Sequence, residues 1–339
     1  MLLKDYDIAD DAYYLFTCGN LAQREKEFLD KSKLDRLISA GSIEEFYRIL
    51  QETYYGKYTD AIQNREPFEK IMAMENGSII RFLRDSLKPE HQILKEFYLL
   101  RIDLHNIKII MKADKLDKDF EDIFIERMYS YSQLKEAYKN KKYENIDPET
   151  IEVLDYARSI EKDEDNQRII ELKLEQFLLS KMYQNIEKTG MQMLIDFQKH
   201  TVDMLNIKNI YRAKVAEEDI KFDEFLYDNG FLPVKELKKF ENESIDYLVQ
   251  YIEKTHYLKM IFQGTQMFNT EHTFAAFERN EDEFILRFFD QVKFTVANLE
   301  KIAAFIMKKR LEMKNINIIY TGVLYNLERE RIKRRVVSL

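Results

Sequence analysis

The sequence predicts an all-α protein, and three observations carry that prediction. Glycine and proline together make up twelve of 339 residues (8 and 4), about 3.5% where average usage is about 12%. Apolar residues recur at i, i+3, i+4 and i+7 along the chain, and no stretch alternates convincingly with period two. The third observation is a repetition. DLHNIKIIMKA (Asp103 to Ala113) returns as DMLNIKNIYRA (Asp203 to Ala213) and again as EMKNINIIYTG (Glu312 to Gly322). Each copy sets an acid and an asparagine three residues apart within a helical apolar stripe.

The elements follow in order. Pro67, Pro89, Pro148 and Pro233 mark expected helix boundaries, because proline suits a first helical turn and breaks an interior one. Asn76–Gly77 and Asn229–Gly230 are turn signals. Lys33 to Tyr58 reads as a short helix, a charged hinge and a second helix closing on tyrosine, and Pro233 to Leu258 reads the same way. The middle counterpart, Gln133 to Ala157, is the most divergent. Phe284 to Tyr320 is one long helix or two in close succession. The three near-copies divide the chain into 1–115, 116–218 and 219–339. Units of about 100 residues exceed the 20–50 of a solenoid repeat, so the expectation is three similar helical bundles with approximate threefold symmetry.

Charge and cysteine usage narrow the function classes. A net charge of −8 is unlike the basic balance of a general nucleic-acid binder. The distribution is uneven: Glu300 to Leu339 holds ten basic and four acidic residues, a balance of +6 that leaves −14 on the first 299. The segment RERIKRRVV is read as a helix end complementing its own dipole, or as a basic patch for an acidic partner or lipid headgroups. One cysteine, Cys18, excludes an intrachain disulfide and suggests a reducing compartment. The acidic start MLLKDYDIADD lacks the pattern of a signal peptide. Apolar runs such as Ile302 to Met307 fall far short of the ~20 residues of a spanning helix.

On a helix, Asp103, Asn106, Ile107 and Ile110 share one face, so acid and amide turn toward the core. A buried carboxylate costs several kcal/mol unless it accepts hydrogen bonds, from a neighbouring helix N-terminus or a basic side chain. The asparagine both donates and accepts, and would lock two helices at a fixed crossing. Asp103, Asn106, Asp203, Asn206, Glu312 and Asn315 are therefore read as a polar clasp used once per repeat. A catalytic or metal-binding carboxylate needs further ligands on that face, and none recurs. Phosphate-cradling glycine motifs are absent. Glu253 to His256 matches the E-x-x-H of di-iron bundles only once, where two copies and two more glutamates are required. No cofactor or metal is expected, and Cys18 is read as a packed thiol.

The thrice-repeated D-x-x-N-I-K pattern, the early TYYGKY and the closing KKRLEMKNINIIYTG resemble the C subunits of bacterial and archaeal V-type ATPases, counterparts of the d subunit of the vacuolar proton pump. The likeness spans the whole chain. The third copy departs from it at Glu312, Asn317 and Gly322. The resemblance implies an all-helical funnel of three similar domains, one copy per complex, peripheral on the cytoplasmic face of the membrane rotor ring. It implies that the central stalk, made of the D and F subunits, plugs into the funnel. The chain would then be a non-catalytic coupling in a rotary motor for ion transport and ATP synthesis, with ATP turned over elsewhere. The alternative is a free-standing helical scaffold without enzymatic activity. An enzyme with a carboxylate site at Asp103, Asp203 or Glu312 is a distant third.

Overall fold

The structure, a computed structural model, describes residues 4–58, 60, 68–126, 128–215 and 221–339. Among these there is no strand; the elements are α-helices joined by short 3-10 turns. In chain order the helices are α1 (Leu15–Glu25), α2 (Lys31–Ile38), α3 (Ile43–Gln51), α4 (Phe68–Ser86), α5 (Ile93–Leu116), α6 (Tyr131–Asn140), α7 (Pro148–Asp163) and α8 (Gln167–Glu187). They continue with α9 (Gln192–Val215), α10 (Val234–Leu237), α11 (Ile245–Ile252), α12 (Leu258–Glu271), α13 (Ala275–Phe289), α14 (Leu299–Leu324) and α15 (Arg329–Lys333).

Local chemistry explains many of the helix starts. Asp30, Ser42, Ser130, Asp147, Ser244 and Asn298 each cap a helix by accepting a hydrogen bond from a first-turn backbone N–H. Pro148 occupies the first position of α7, Pro89 opens a 3-10 turn and Pro233 precedes α10. Pro67 lies outside the described residues. Phe284 to Tyr320 is two helices: α13 ends at Phe289, a 3-10 turn spans Asp290–Val292, and Asn298 caps α14. The resemblance between Lys33–Tyr58 and Pro233–Leu258 carries into hydrogen bonding. Thr53 Oγ1 donates to the Leu50 carbonyl (2.6 Å) and accepts from Tyr55 N (3.2 Å). Thr255 Oγ1 donates to the Ile252 carbonyl (2.7 Å) and accepts from Tyr257 N (3.2 Å).

One turn expectation fails. Asn76–Gly77 lies inside α4, where the buried Asn76 side chain accepts a hydrogen bond from the Tyr98 hydroxyl. A tertiary bond and burial of the helix face override the local turn preference there. Asn229–Gly230 is a turn, with Asn229 left-handed at φ 70°.

The chain forms two compact units. The first comprises 1–74, 192–197 and 243–339. Its axis is α14, against which α1, α2, α3, α13 and α15 pack. Ile302 through Met307 are buried without a break, as expected for a helix that is covered all round. Leu37, Phe46, Leu50, Tyr55, Ile316 and Ile319 form one core there, with Phe68 stacked on Tyr320 at 4.2 Å between ring centroids. The second unit comprises 75–191 and 198–242, in which α5 packs on α6, α7 and α8. Its core includes Ile110, Ala137, Leu154, Ala157, Ile170 and Leu174. Among the described residues no helix is long and apolar enough to cross a membrane.

Candidate functional site: the repeated asparagine clasp

The three repeated stretches lie on the three long helices α5, α9 and α14, of 24, 24 and 26 residues. Each asparagine makes the same pair of bonds. Asn106 Nδ2 donates to the Ile125 carbonyl at 2.8 Å, and its Oδ1 accepts from Ile125 N at 3.0 Å. Asn206 does this with Tyr227 (2.9 and 2.7 Å), and Asn315 with Val337 (2.7 and 3.1 Å). The side-chain amide copies a peptide group and pairs with one residue's N–H and C=O as a neighbouring strand would. The partner is a non-helical segment 19, 21 or 22 residues downstream, not a second helix. The helix–helix lock expected from the sequence is not what forms. An Asn amide matches a backbone N–H/C=O pair that is still free, and a helix interior offers none.

The acids differ between copies. Asp203 is fully buried. Its two oxygens accept from Phe231 N (3.2 Å) and Leu232 N (3.0 Å), so acid and asparagine grip the returning segment at two points four and five residues apart. Gly230 stands between them because a Cβ there would overlap Asp203 Oδ1. Glu312, also fully buried, accepts from Leu29 N (2.7 Å), the Tyr55 hydroxyl (2.9 Å) and Lys309 Nζ (2.6 Å). The longer glutamate reaches across to elements that an aspartate would not meet. Lys309 itself is 5% exposed and sits over the rings of Tyr54 and Tyr55 at 4.4 and 4.8 Å. Asp103 is half-buried and lines a cavity of about 260 Å³ with Asn106, Tyr129 and Asp147. Burial alone would raise the Asp147 carboxyl, but hydrogen bonds from Thr150 and Tyr129 outweigh it and hold it below the usual range.

The Asp203 and Glu312 carboxylates are engaged by backbone N–H groups and, at Glu312, by buried side chains, a setting that fixes chain segments. Among the described residues no group of three or more His, Cys, Asp and Glu is arranged to hold a metal ion. Glu253 to His256 occupies the turn after α11 and not a helix face. Cys18 is buried with its Sγ 3.7 Å from the Asn298 carbonyl, and burial pushes the thiol up.

Two features had no sequence signal. The clasp partners Ile125, Tyr227 and Val337 share no residue type, because the bonds use their backbones. The second is an exposed apolar region in the first unit. Asp10 accepts from Val296 N, Ala297 N and Asn298 Nδ2, while Asp11 N donates to the Ala297 carbonyl at 2.6 Å. This stitching brings Tyr13, Leu15 and Phe16 to the same part of the unit as Phe294 and Val296. Phe16 is 81% exposed and Phe294 90%.

Comparison with known proteins gives the family. A family model described as "ATP synthase (C/AC39) subunit" matches residues 17–335. The C subunit of the A-type ATP synthase of Methanocaldococcus jannaschii is 26% identical over 361 aligned positions, covering 98% of this chain and 88% of that protein. The C subunit of the V-type sodium ATPase of Enterococcus hirae is 22% identical over 318, covering 92% and 94%. The C subunit of the A-type ATP synthase of Methanosphaera stadtmanae is 25% identical over 331, covering 91% and 83%. With the match running nearly end to end, the chain belongs to the ATP synthase (C/AC39) subunit family.

Proposed function

We propose that the chain is the central-rotor coupling component of a V/A-type ATPase. It joins the central stalk, built from the D and F subunits, to the membrane rotor ring and transmits torque between ATP turnover and ion transport. The observation that carries this reading is the family match over residues 17–335, together with relatives named as C subunits of A-type and V-type machines. The chain itself is non-catalytic on this reading and sits peripherally on the cytoplasmic face of the membrane, one copy per complex. The division into 1–115, 116–218 and 219–339, arranged as a funnel about a pseudo-threefold axis, belongs to the same proposal. It is supported by the recurrence of one asparagine clasp on α5, α9 and α14.

The physics suits the role. A part that transmits torque must resist bending, and long helices with bulky side chains and few glycines are stiff. Each clasp adds two buried or half-buried hydrogen bonds tying a returning segment to a long helix. Aromatic side chains left 81% and 90% exposed fit a protein that works bound to others.

The test is binding with purified components. The chain should bind a D–F stalk complex and, separately, the detergent-solubilised ring, and should show no ATPase activity alone. Failure to bind either partner removes the reading. Capture of an unrelated soluble partner from native membranes, with no rotor components, would favour a scaffold instead.

A further inference from the structure

The third copy of the repeat departs from the other two at positions that meet in space. Where the first two carry Lys108 and Lys208, the third carries Asn317; where they carry Lys112 and Arg212, it carries Thr321; where they carry Ala113 and Ala213, it carries Gly322. Asn317 and Thr321 line a cavity of about 220 Å³ whose other walls include Thr273, Arg331, Arg334 and Arg335. Gly322 lies beneath: a Cβ there would stand 2.5 Å from Ile332 Cδ1. Its absence lets α15 seat directly on α14. Thus two cations of the repeat are replaced by neutral hydrogen-bonding residues, and a methyl group is deleted, where the arginines arrive.

The arginines are not all accounted for by internal pairing. Lys333 pairs with Glu330, Arg334 with Glu271, and Arg329 donates to the Ser39 carbonyl. Arg331 and Arg335, four residues apart around the turn that ends α15, have no carboxylate partner among the described residues. A helix of five residues has little dipole to complement. The backbone at Arg335 is held in place by the third clasp, which grips Val337 two residues on. The charged groups lining the cavity are three arginines and Glu271, a balance of +2 (3 − 1). Guanidinium forks match tetrahedral oxyanions bidentately, and Thr273, Thr321 and Asn317 supply further donors around the same space.

We propose that this cavity binds a phosphate group. Its balance of +2 matches the charge of about −2 on a phosphate monoester, whereas a single carboxylate would leave one positive charge uncompensated. The inference goes beyond the coupling function and does not depend on it. The phosphate could belong to a soluble molecule or to a lipid headgroup; the chemistry recognised is the same, and experiment separates the two.

The full-length chain is titrated calorimetrically with inorganic phosphate, with ATP and with acetate, and floated with vesicles of phosphatidylcholine with or without phosphatidic acid, whose headgroup is a phosphate monoester. Saturable phosphate or ATP binding with a dissociation constant of about 1 mM or tighter assigns a soluble phosphate ligand. Flotation only with the vesicles that contain phosphatidic acid assigns a headgroup. Either should weaken at least tenfold in Arg331→Ala/Arg335→Ala and in Asn317→Glu. All three substituted side chains are exposed, so the unfolding midpoints of both variants should stay at the wild-type value. The proposal is overturned by the absence of both kinds of binding, by binding that both variants retain, or by acetate binding as tightly as phosphate.

Discussion

Replacing Asn206 by alanine removes both hydrogen bonds to Tyr227 in a place where water cannot substitute. Asn206 is fully buried and Tyr227 is 1% exposed. The substitution leaves the Tyr227 N–H and C=O without partners, at about 1–3 kcal/mol for each buried orphan. It also leaves a small void. The expected loss is about 3–5 kcal/mol, a large part of the stability of an ordinary domain. Asn206→Asp is a sharper control: it keeps the acceptor for Tyr227 N but points a second oxygen at the Tyr227 carbonyl and buries a charge. It should cost at least as much as alanine. Asn315→Ala should resemble Asn206→Ala, since Val337 is 2% exposed. Asn106→Ala should cost only about 1–2 kcal/mol, because Ile125 is half-buried and water can reach its backbone. Equilibrium unfolding in guanidinium chloride reads the differences as shifts in midpoint at constant slope. A loss below about 1 kcal/mol at Asn206, or a larger loss at Asn106 than at Asn206, would refute the reasoning.

Three further outcomes follow from buried charge and close packing. Glu312→Gln strands the Lys309 ammonium, whose side chain is 6% exposed, and should cost about 3–5 kcal/mol; adding Lys309→Met should restore more than half of that, and no recovery would mean the ion pair is not the source. Burial pushes the Asp282 carboxyl above its ordinary 3.8 despite attraction to Lys314. A raised folded pKa means that ionising the group disfavours the fold, a penalty absent below 3.8 that accumulates as pH rises through the folded value. Asp282→Asn should therefore be at least as stable as wild type at pH 7, with the gap closing in acid; a less stable variant at pH 7 contradicts this. Gly322→Ala gains about 1 kcal/mol of helix propensity but collides with Ile332, so it should loosen the 329–339 segment in hydrogen exchange. Ile332→Ala in the same chain should relieve the collision, and unchanged exchange in the single variant would show that the glycine is dispensable.

The helical fold is legible in the sequence because its signals are additive: scarce glycine and proline, helical periodicity and capping residues all point the same way. Asn229–Gly230 is the turn its residue types indicate, and the geometry adds why glycine is needed beside Asp203. Asn76–Gly77 misleads because the Tyr98 hydroxyl, remote in sequence, satisfies Asn76 inside a helix. The clasp is half legible. Repetition singles out Asn106, Asn206 and Asn315, but their partners are backbone groups of Ile125, Tyr227 and Val337, which leave no pattern in side-chain identity. The substitution of Glu312 for aspartate looks, in the sequence, like a local departure. Its reason is Leu29 and Tyr55, more than 250 residues away along the chain. The basic C-terminal stretch is visible as charge alone; which arginines are paired and which line a cavity emerges only from the packing of α15 on Gly322.

The proposed coupling role is tested most directly by measuring ATP hydrolysis and ion uptake together in sealed vesicles carrying the complete complex, with and without this chain. Vesicles lacking it should keep head ATPase activity but lose ATP-driven ion uptake, and adding the purified chain should restore uptake. Undiminished uptake without the chain, or loss of hydrolysis and uptake in equal measure, would contradict it.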